Sequence, residues 1–281
     1  MMPRMGIMQG RLVPPVDNRI QAFPAFSWRK EFAIARDLGF DSIEFIFDID
    51  DDKDIATHPL LENGCSSIRE LAVGCGIAVE TVCGDYFMRH PFHSDDLGDA
   101  ARSVELLSGL VINCKSLGTT DIVIPCVDRS SLSDAKDGDR LMQRLDTVIP
   151  LCEQIGVNLA LETDLGPAEF RKLLDLFDSA RVTVNYDVGN SASLGYDVLA
   201  EWGAYGEKIS SVHVKDRVRG GPTVPLGLGS ASFEEFFQIA RDKGYKGLFV
   251  IQGARGKDDV ATAREYKKFV EGFVKRFYMG K

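Results

Sequence analysis

Histidine is scarce in this chain, four among 281 residues, and the six cysteines (65, 75, 83, 114, 126 and 152) form no C-x-x-C pair. Four of them sit in apolar stretches where a free thiol packs like a small hydrophobe, and the scattered usage fits a reducing cytoplasm. No clustered Lys and Arg accompany the formal net charge of −9, which argues against nucleic acid as a partner. No apolar run approaches membrane-spanning length, and no charged start leads into a signal-like apolar segment, so no membrane partner is expected. A G-x-G-x-x-G turn after the first strand is missing, which disfavours an open dinucleotide-binding sheet. No linker or shift in composition divides the chain, so residues 1–281 are expected to form one domain.

What is present is a repeating unit. Apolar segments read as strands at Met5–Leu12, Asp41–Phe47, IAVETVC, DIVIPCV, VNLALE, VTVNYDV, SSVHV and GLFVIQ. One helical segment follows each. Ser27 is expected to cap a helix through Leu38, a helix runs from about Leu60 to Gly74, and Ser232 with Glu235 reads as a capping box. A single helix is expected to end at Gly156, and another to close the chain from Asp258 to Phe277. Helix–glycine–strand junctions recur at Gly39, Gly76, Gly118, Gly156 and Gly244. Eight strand–helix units with parallel strands describe a single (β/α)₈ TIM barrel, an α/β fold.

Chemistry in such a barrel sits at the C-terminal strand ends. Those ends read Gln9, Glu44, Asp85, Asp128, Glu162, Asp187, His213 and Gln252. On strands five to eight, Glu162, Asp187, His213 and Gln252 are each the last polar group of an apolar strand, so they converge. Two buried carboxylates are costly without a cation. Two carboxylates, an imidazole and an amide oxygen suit a divalent metal such as Mn²⁺, Mg²⁺, Co²⁺ or Zn²⁺. The competing arrangement pairs Glu162 and Asp187 with Lys215 or Arg217.

LETD around Glu162, DVGN around Asp187, HVKD around His213, then VPLGLGSASF and GYKGLFVIQ, resemble the xylose-isomerase-like sugar isomerases and epimerases. GIMQGRL, LGFDSIEF and the Cys83–Ser94 segment fit too, so the resemblance spans nearly the whole chain. Pentulose- and hexulose-phosphate epimerases and isomerases are the most similar branch. The resemblance implies metal ligands on strands five to eight, here Glu162, Asp187, His213 and Gln252. It also implies a proton-transferring glutamate pair on strands five and eight. The chain departs from this pattern at Gln252, because an amide can ligate a metal but cannot take up a proton.

The expected activity is isomerisation or epimerisation of a sugar or sugar phosphate. Glu162 would abstract the proton beside a carbonyl, with a metal-held enediolate between the two proton transfers. The alternatives are dehydration of a keto-polyol and sugar binding without turnover. A single-base reaction on Glu162 alone, such as aldose–ketose isomerisation, is the expected outcome, and a second acid/base from Glu44, Asp85 or His90 is the competing one. His213 is expected to serve as a neutral imidazole ligand. Asn190, Lys215, Arg217, Glu44 and His90 are candidate substrate contacts. Lys215, Arg217 and Arg219 suit a phosphate or carboxylate, while Glu44 faces substrate or pairs with an arginine at the rim. His90, Pro91 and His93 occupy a loop that could cover the pocket. Related barrel endonucleases need more histidines and a basic face, and are excluded. A homo-oligomer is compatible with the resemblance.

Overall fold

A computed structural model describes residues 3–49, 55, 57–62 and 65–279. Eight parallel strands close into a barrel: β1 (Arg4–Met8), β2 (Ser42–Ile46), β3 (Thr81–Cys83), β4 (Asp121–Cys126), β5 (Asn158–Thr163), β6 (Val182–Asp187), β7 (Ile209–Val214) and β8 (Leu248–Ile251). They are hydrogen-bonded in chain order, and β8 closes onto β1. The fold is thus the expected (β/α)₈ barrel. Among the described residues, no helix is long and apolar enough to cross a membrane.

Period-two alternation sorts each strand into two faces. Outward residues such as Ile43, Phe45, Leu159, Leu161, Val184, Val212, Val214 and Phe249 pack under the helices. Inward residues Met8, Ile46, Cys83, Val123, Ala160 and Val250 fill the barrel with a small apolar plug. The interior is therefore packed and not a pore. Glu44, Glu162, Asp187, His213 and Gln252 share this inward phase, Glu44 level with Met8, His213 level with Val250, and Glu162 and Gln252 one step beyond Ala160 and Val250. Pairing of Asp187 with His213, and of His213 with Val250, sets their heights.

The helices are α1 (Trp28–Leu38), α2 (Ser66–Cys75), α3 (Tyr86–Arg89), α4 (Leu97–Cys114), α5 (Ala135–Leu145), α6 (Ile149–Ile155), α7 (Pro167–Leu174), α8 (Val188–Leu194), α9 (Val198–Tyr205), α10 (Phe233–Asp242) and α11 (Asp259–Tyr278). In α10, Phe233, Phe236, Phe237 and Ala240 form one buried stripe at helical spacing. Each fully buried Phe contributes about 1.5–3 kcal/mol of transfer free energy. Gly39 ends α1 at φ 73°, where its backbone N–H reaches the Ala35 and Arg36 carbonyls. A side chain there would be strained.

Several local expectations are corrected. Ser27 and Ser232 precede their helices but make no side-chain cap, so the capping box is absent. The helix expected to end at Gly156 is two, broken between Leu145 and Ile149 just ahead of Pro150. The helix expected from Leu60 begins at Ser66, and residues 63 and 64 of that span lie outside the described set. Helix α8 was not expected. The residue that ends β6, Asp187, caps it by accepting from the Asn190 backbone N–H.

His58 packs between Phe23, 4.4 Å from its ring centre, and Phe47, at 5.2 Å. Burial in this aromatic nest holds its pKa down at about 3, so it is neutral when folded. The unfolded chain binds this proton below about pH 6.5 and the folded one does not. Stability is therefore expected to fall by about 1.4 kcal/mol per pH unit from this group as pH drops from 6.5 toward 3. Urea melts of wild type and His58→Phe should diverge over that window, and parallel curves would refute the assignment.

Candidate active site

Glu162, Asp187 and His213 present ligand atoms that all lie within 4.8 Å of one another, and all three side chains are buried. His213 Nδ1 is 3.2 Å from Glu162 Oε2 and 3.8 Å from Asp187 Oδ2. Its Nε2 lies 2.7 Å from Glu44 Oε1 on the far side of the ring. Burial disfavours an imidazolium here, but Glu44 and Glu162 overcome it and raise the pKa to about 10. Without a cation in the cluster these carboxylates favour the charged imidazole; the neutral imidazole expected from the sequence is the metal-ligating form. Glu44 neither faces substrate nor meets an arginine at the rim; it is fully buried and orients His213.

Burial also works against the Glu162 carboxylate. The His213 imidazolium and the Asn185 amide reverse that and hold it well below the usual carboxylate range. Asn185 Nδ2 donates to Oε2 and Asn190 Nδ2 to Oε1, each at 2.8 Å. Asp187 shifts the other way, raised by burial despite Lys215, whose Nζ is 2.6 Å from Oδ2. The carboxylate–Lys215 pairing weighed from the sequence is therefore present on Asp187. Gly189 permits this approach, since a Cβ there would lie 2.9 Å from the Lys215 carbonyl carbon.

The donor set fits a divalent cation. Gln252 Oε1 is buried and accepts no hydrogen bond from the described residues. A buried acceptor without a donor costs about 1–3 kcal/mol, which a cation offsets. With Nδ1 on a metal, the Nε2–H would donate to Glu44, a common support for ligating histidines. Lys215 would give up its place beside Asp187.

Above the cluster opens a cavity of about 700 Å³ with Asp85, Glu162, Asn190, Lys215, Arg217 and Gln252 in its wall. Arg217 Nη1 donates to Asn190 Oδ1 at 2.9 Å and its Nε to the Gly221 carbonyl, so this guanidinium steadies the Asn190 amide. Asp216 pins the following loop through the backbone N–H groups of Gly227, Gly229 and Ala231. Arg219 lies over Gly195 instead of the cavity. His90 is also absent from the cavity wall. Its ring stacks on Tyr86 at 4.4 Å and its Nδ1 meets Asp99 at 2.6 Å. Two residues of the site were not anticipated. Asn185 donates to Glu162 and lies beside His213, its Nδ2 3.1 Å from Nδ1, and its inward phase two residues before Asp187 was the available signal. Gln21, in the loop after β1, receives Gln252 Nε2 at 2.9 Å and carried no signal of its own.

The family model described as xylose isomerase-like TIM barrel matches residues 32–271. The chain belongs to that family. It is 26% identical over 266 residues to L-ribulose-5-phosphate 3-epimerase UlaE of Escherichia coli K12, covering 88% of this chain and 92% of the relative. Among solved structures, an L-ribulose 3-epimerase superposes with a TM-score of 0.74 at 20% identity, covering 99% of this chain and 97% of the other. The IolI protein, solved with a bound zinc atom, superposes at 0.76 and 15% identity, covering 98% and 99%. Named relatives and several structural neighbours are thus sugar epimerases, and two neighbours were solved with a divalent metal, zinc in one and magnesium in the other.

Proposed function

We propose that this protein is a divalent-metal-dependent epimerase or isomerase of a sugar or sugar phosphate. The carrying observation is the convergence of Glu162, Asp187 and His213 beneath an open polar cavity, with the Gln252 amide oxygen left without a donor among the described residues. A bound divalent cation supplies electrostatic stabilisation to negative charge developing on substrate oxygens. Glu162 takes the proton from the carbon beside the carbonyl. Asn185 and Asn190 fix its carboxylate, and Glu44 fixes the imidazole beside it. Arg11, Lys215 and Arg217 give the cavity wall cationic groups suited to a phosphorylated substrate.

The test combines metal and substrate. Adding Mn²⁺ to chelator-treated protein is expected to raise its melting temperature by roughly 5–10 °C at about a hundred times Kd. A panel of ketoses, aldoses and their phosphates, assayed with Mn²⁺, should then reveal one interconverted pair. Unchanged melting together with an inactive panel would overturn the reading. A melting shift with sugars bound but none converted would favour the non-catalytic alternative that Gln252 raises.

A further inference from the structure

The reading above leaves one proton transfer without a partner, because Gln252 stands where the family pattern supplies a second carboxylate. Three residues were candidates for that role. Glu44 is fully buried and committed to His213, and His90 is turned onto Tyr86 and Asp99, outside the cavity wall. Asp85, following β3, is different.

Asp85 immediately precedes α3, where an aspartate ordinarily caps the first turn with its side chain. It makes no such cap. Its Oδ2 instead accepts from Gln21 Nε2 at 2.7 Å, and its Oδ1 from the Cys83 thiol at 3.1 Å. Gln21 Oε1 in turn accepts from Gln252 Nε2 at 2.9 Å and from Arg11 Nη2 at 3.2 Å. A continuous hydrogen-bonded chain, Gln252–Gln21–Asp85, thus runs along the cavity wall from the end of β8 to the end of β3. Asp85 sits in the same cavity wall as Glu162. A helix-starting carboxylate withdrawn from its cap and oriented by an amide relay is placed for a task in that cavity.

We propose that Asp85 is the second acid/base of the proton transfer, taking the part for which Gln252 is chemically unfit. The inference rests on the epimerase or isomerase reading of the same site. Glu162 accepts the proton from the carbon beside the carbonyl, and the C–H electron pair passes into the enediolate. Asp85, entering as the acid, gives its proton to the enediolate carbon, the carbonyl re-forms, and Asp85 leaves as carboxylate. Exchange with water returns both groups to their starting states.

The surroundings of Asp85 favour this use. Burial raises its pKa to about 6 against the hydrogen bonds from Gln21 and Cys83, so both protonation states are accessible near neutrality. The charges facing it are Asp48 after β2 and Glu162 on β5, which add to the rise, and Arg11 after β1, which opposes it. Arg89 and Arg19 lie in the same wall, at 2.7 and 3.7 Å from Asp48. Asp128 and Arg129 line it from the end of β4.

The experiment uses the full chain with Mn²⁺ and the panel sugar it interconverts, L-ribulose 5-phosphate being the first tried. Turnover and deuterium uptake from D₂O at the carbon beside the carbonyl are followed by NMR. In Asp85→Asn, interconversion is expected to fall about 10²–10³-fold while deuterium still enters the substrate through Glu162. Glu162→Gln should lose both. Gln21→Ala removes a donor that lowers the Asp85 pKa, so the limb where activity falls with rising pH should move to higher pH. Interconversion in Asp85→Asn within about threefold of wild type would overturn the inference and leave the reading standing. So would an unmoved limb in Gln21→Ala, which also decides the matter if Asp85→Asn fails to fold. A wild type that exchanges no panel sugar fails the reading, and the inference falls with it.

Discussion

Glu162→Gln is expected to lower kcat by about 10²–10⁴-fold, the usual contribution of a positioned base, with a smaller change in KM. The amide keeps the size of the carboxylate but has no lone pair basic enough to take a carbon-bound proton. Folding should survive the change. Asn185 and Asn190 both donate NH₂ groups to Glu162, so a glutamine would set one NH₂ against another. Asn185 can relieve that clash by rotating its amide, because its Oδ1 is buried with no partner among the described residues. The melting temperature should therefore fall by no more than about 10 °C, since one misplaced donor costs about 1–3 kcal/mol. His213 loses one of the two carboxylates that raise its pKa and becomes easier to deprotonate. Measured together, kcat, deuterium uptake and melting separate loss of the base from loss of the fold. Full deuterium uptake in the variant would remove Glu162 from the proton transfer.

The barrel was legible because short apolar strands recur between helices that often stop at a glycine, and β7 carries a two-residue rhythm. That rhythm sorted His213 from Val212 and Val214 correctly, and the same phase brings Glu162, Asp187 and Gln252 to one end of the barrel. What the sequence hid was contact across the interior. Glu44 and His213 are far apart in the chain and on opposite arcs of the barrel, and nothing local marks one as the support of the other. Gln21 lies in an irregular loop, where side-chain direction follows from no periodicity. Lys215 could be read as an anion holder from its strand position, but its pairing with Asp187 depends on the close passage at Gly189. Caps failed as signals for a related reason. Ser27 and Ser232 have suitable chemistry, yet backbone geometry rather than residue type decides whether the hydroxyl reaches the first turn.

Gln252→Glu should make the protein more dependent on metal rather than simply more active. Without a cation, the substitution places a third carboxylate beside Glu162 and Asp187. It also turns the Gln252 donor into an acceptor facing Gln21 Oε1. The lost bond alone costs about 1–3 kcal/mol, so chelator-treated protein should melt several degrees lower. With a cation, unit charges about 4 Å apart attract by roughly 4 kcal/mol at the effective dielectric of such sites, and desolvation takes back much of that. A net gain of about 1.4 kcal/mol is tenfold in affinity. The Mn²⁺-induced rise in melting temperature should therefore be larger in the variant than in wild type, from both ends of the comparison. Melting curves with and without chelator read this directly, and an equal rise in both proteins would place Gln252 outside the metal shell. Turnover should not increase in step. Satisfying the introduced carboxylate requires Gln21 to rotate its NH₂ toward β8, which withdraws that donor from Asp85. The same change that strengthens the metal site thus loosens the relay proposed to position the second acid.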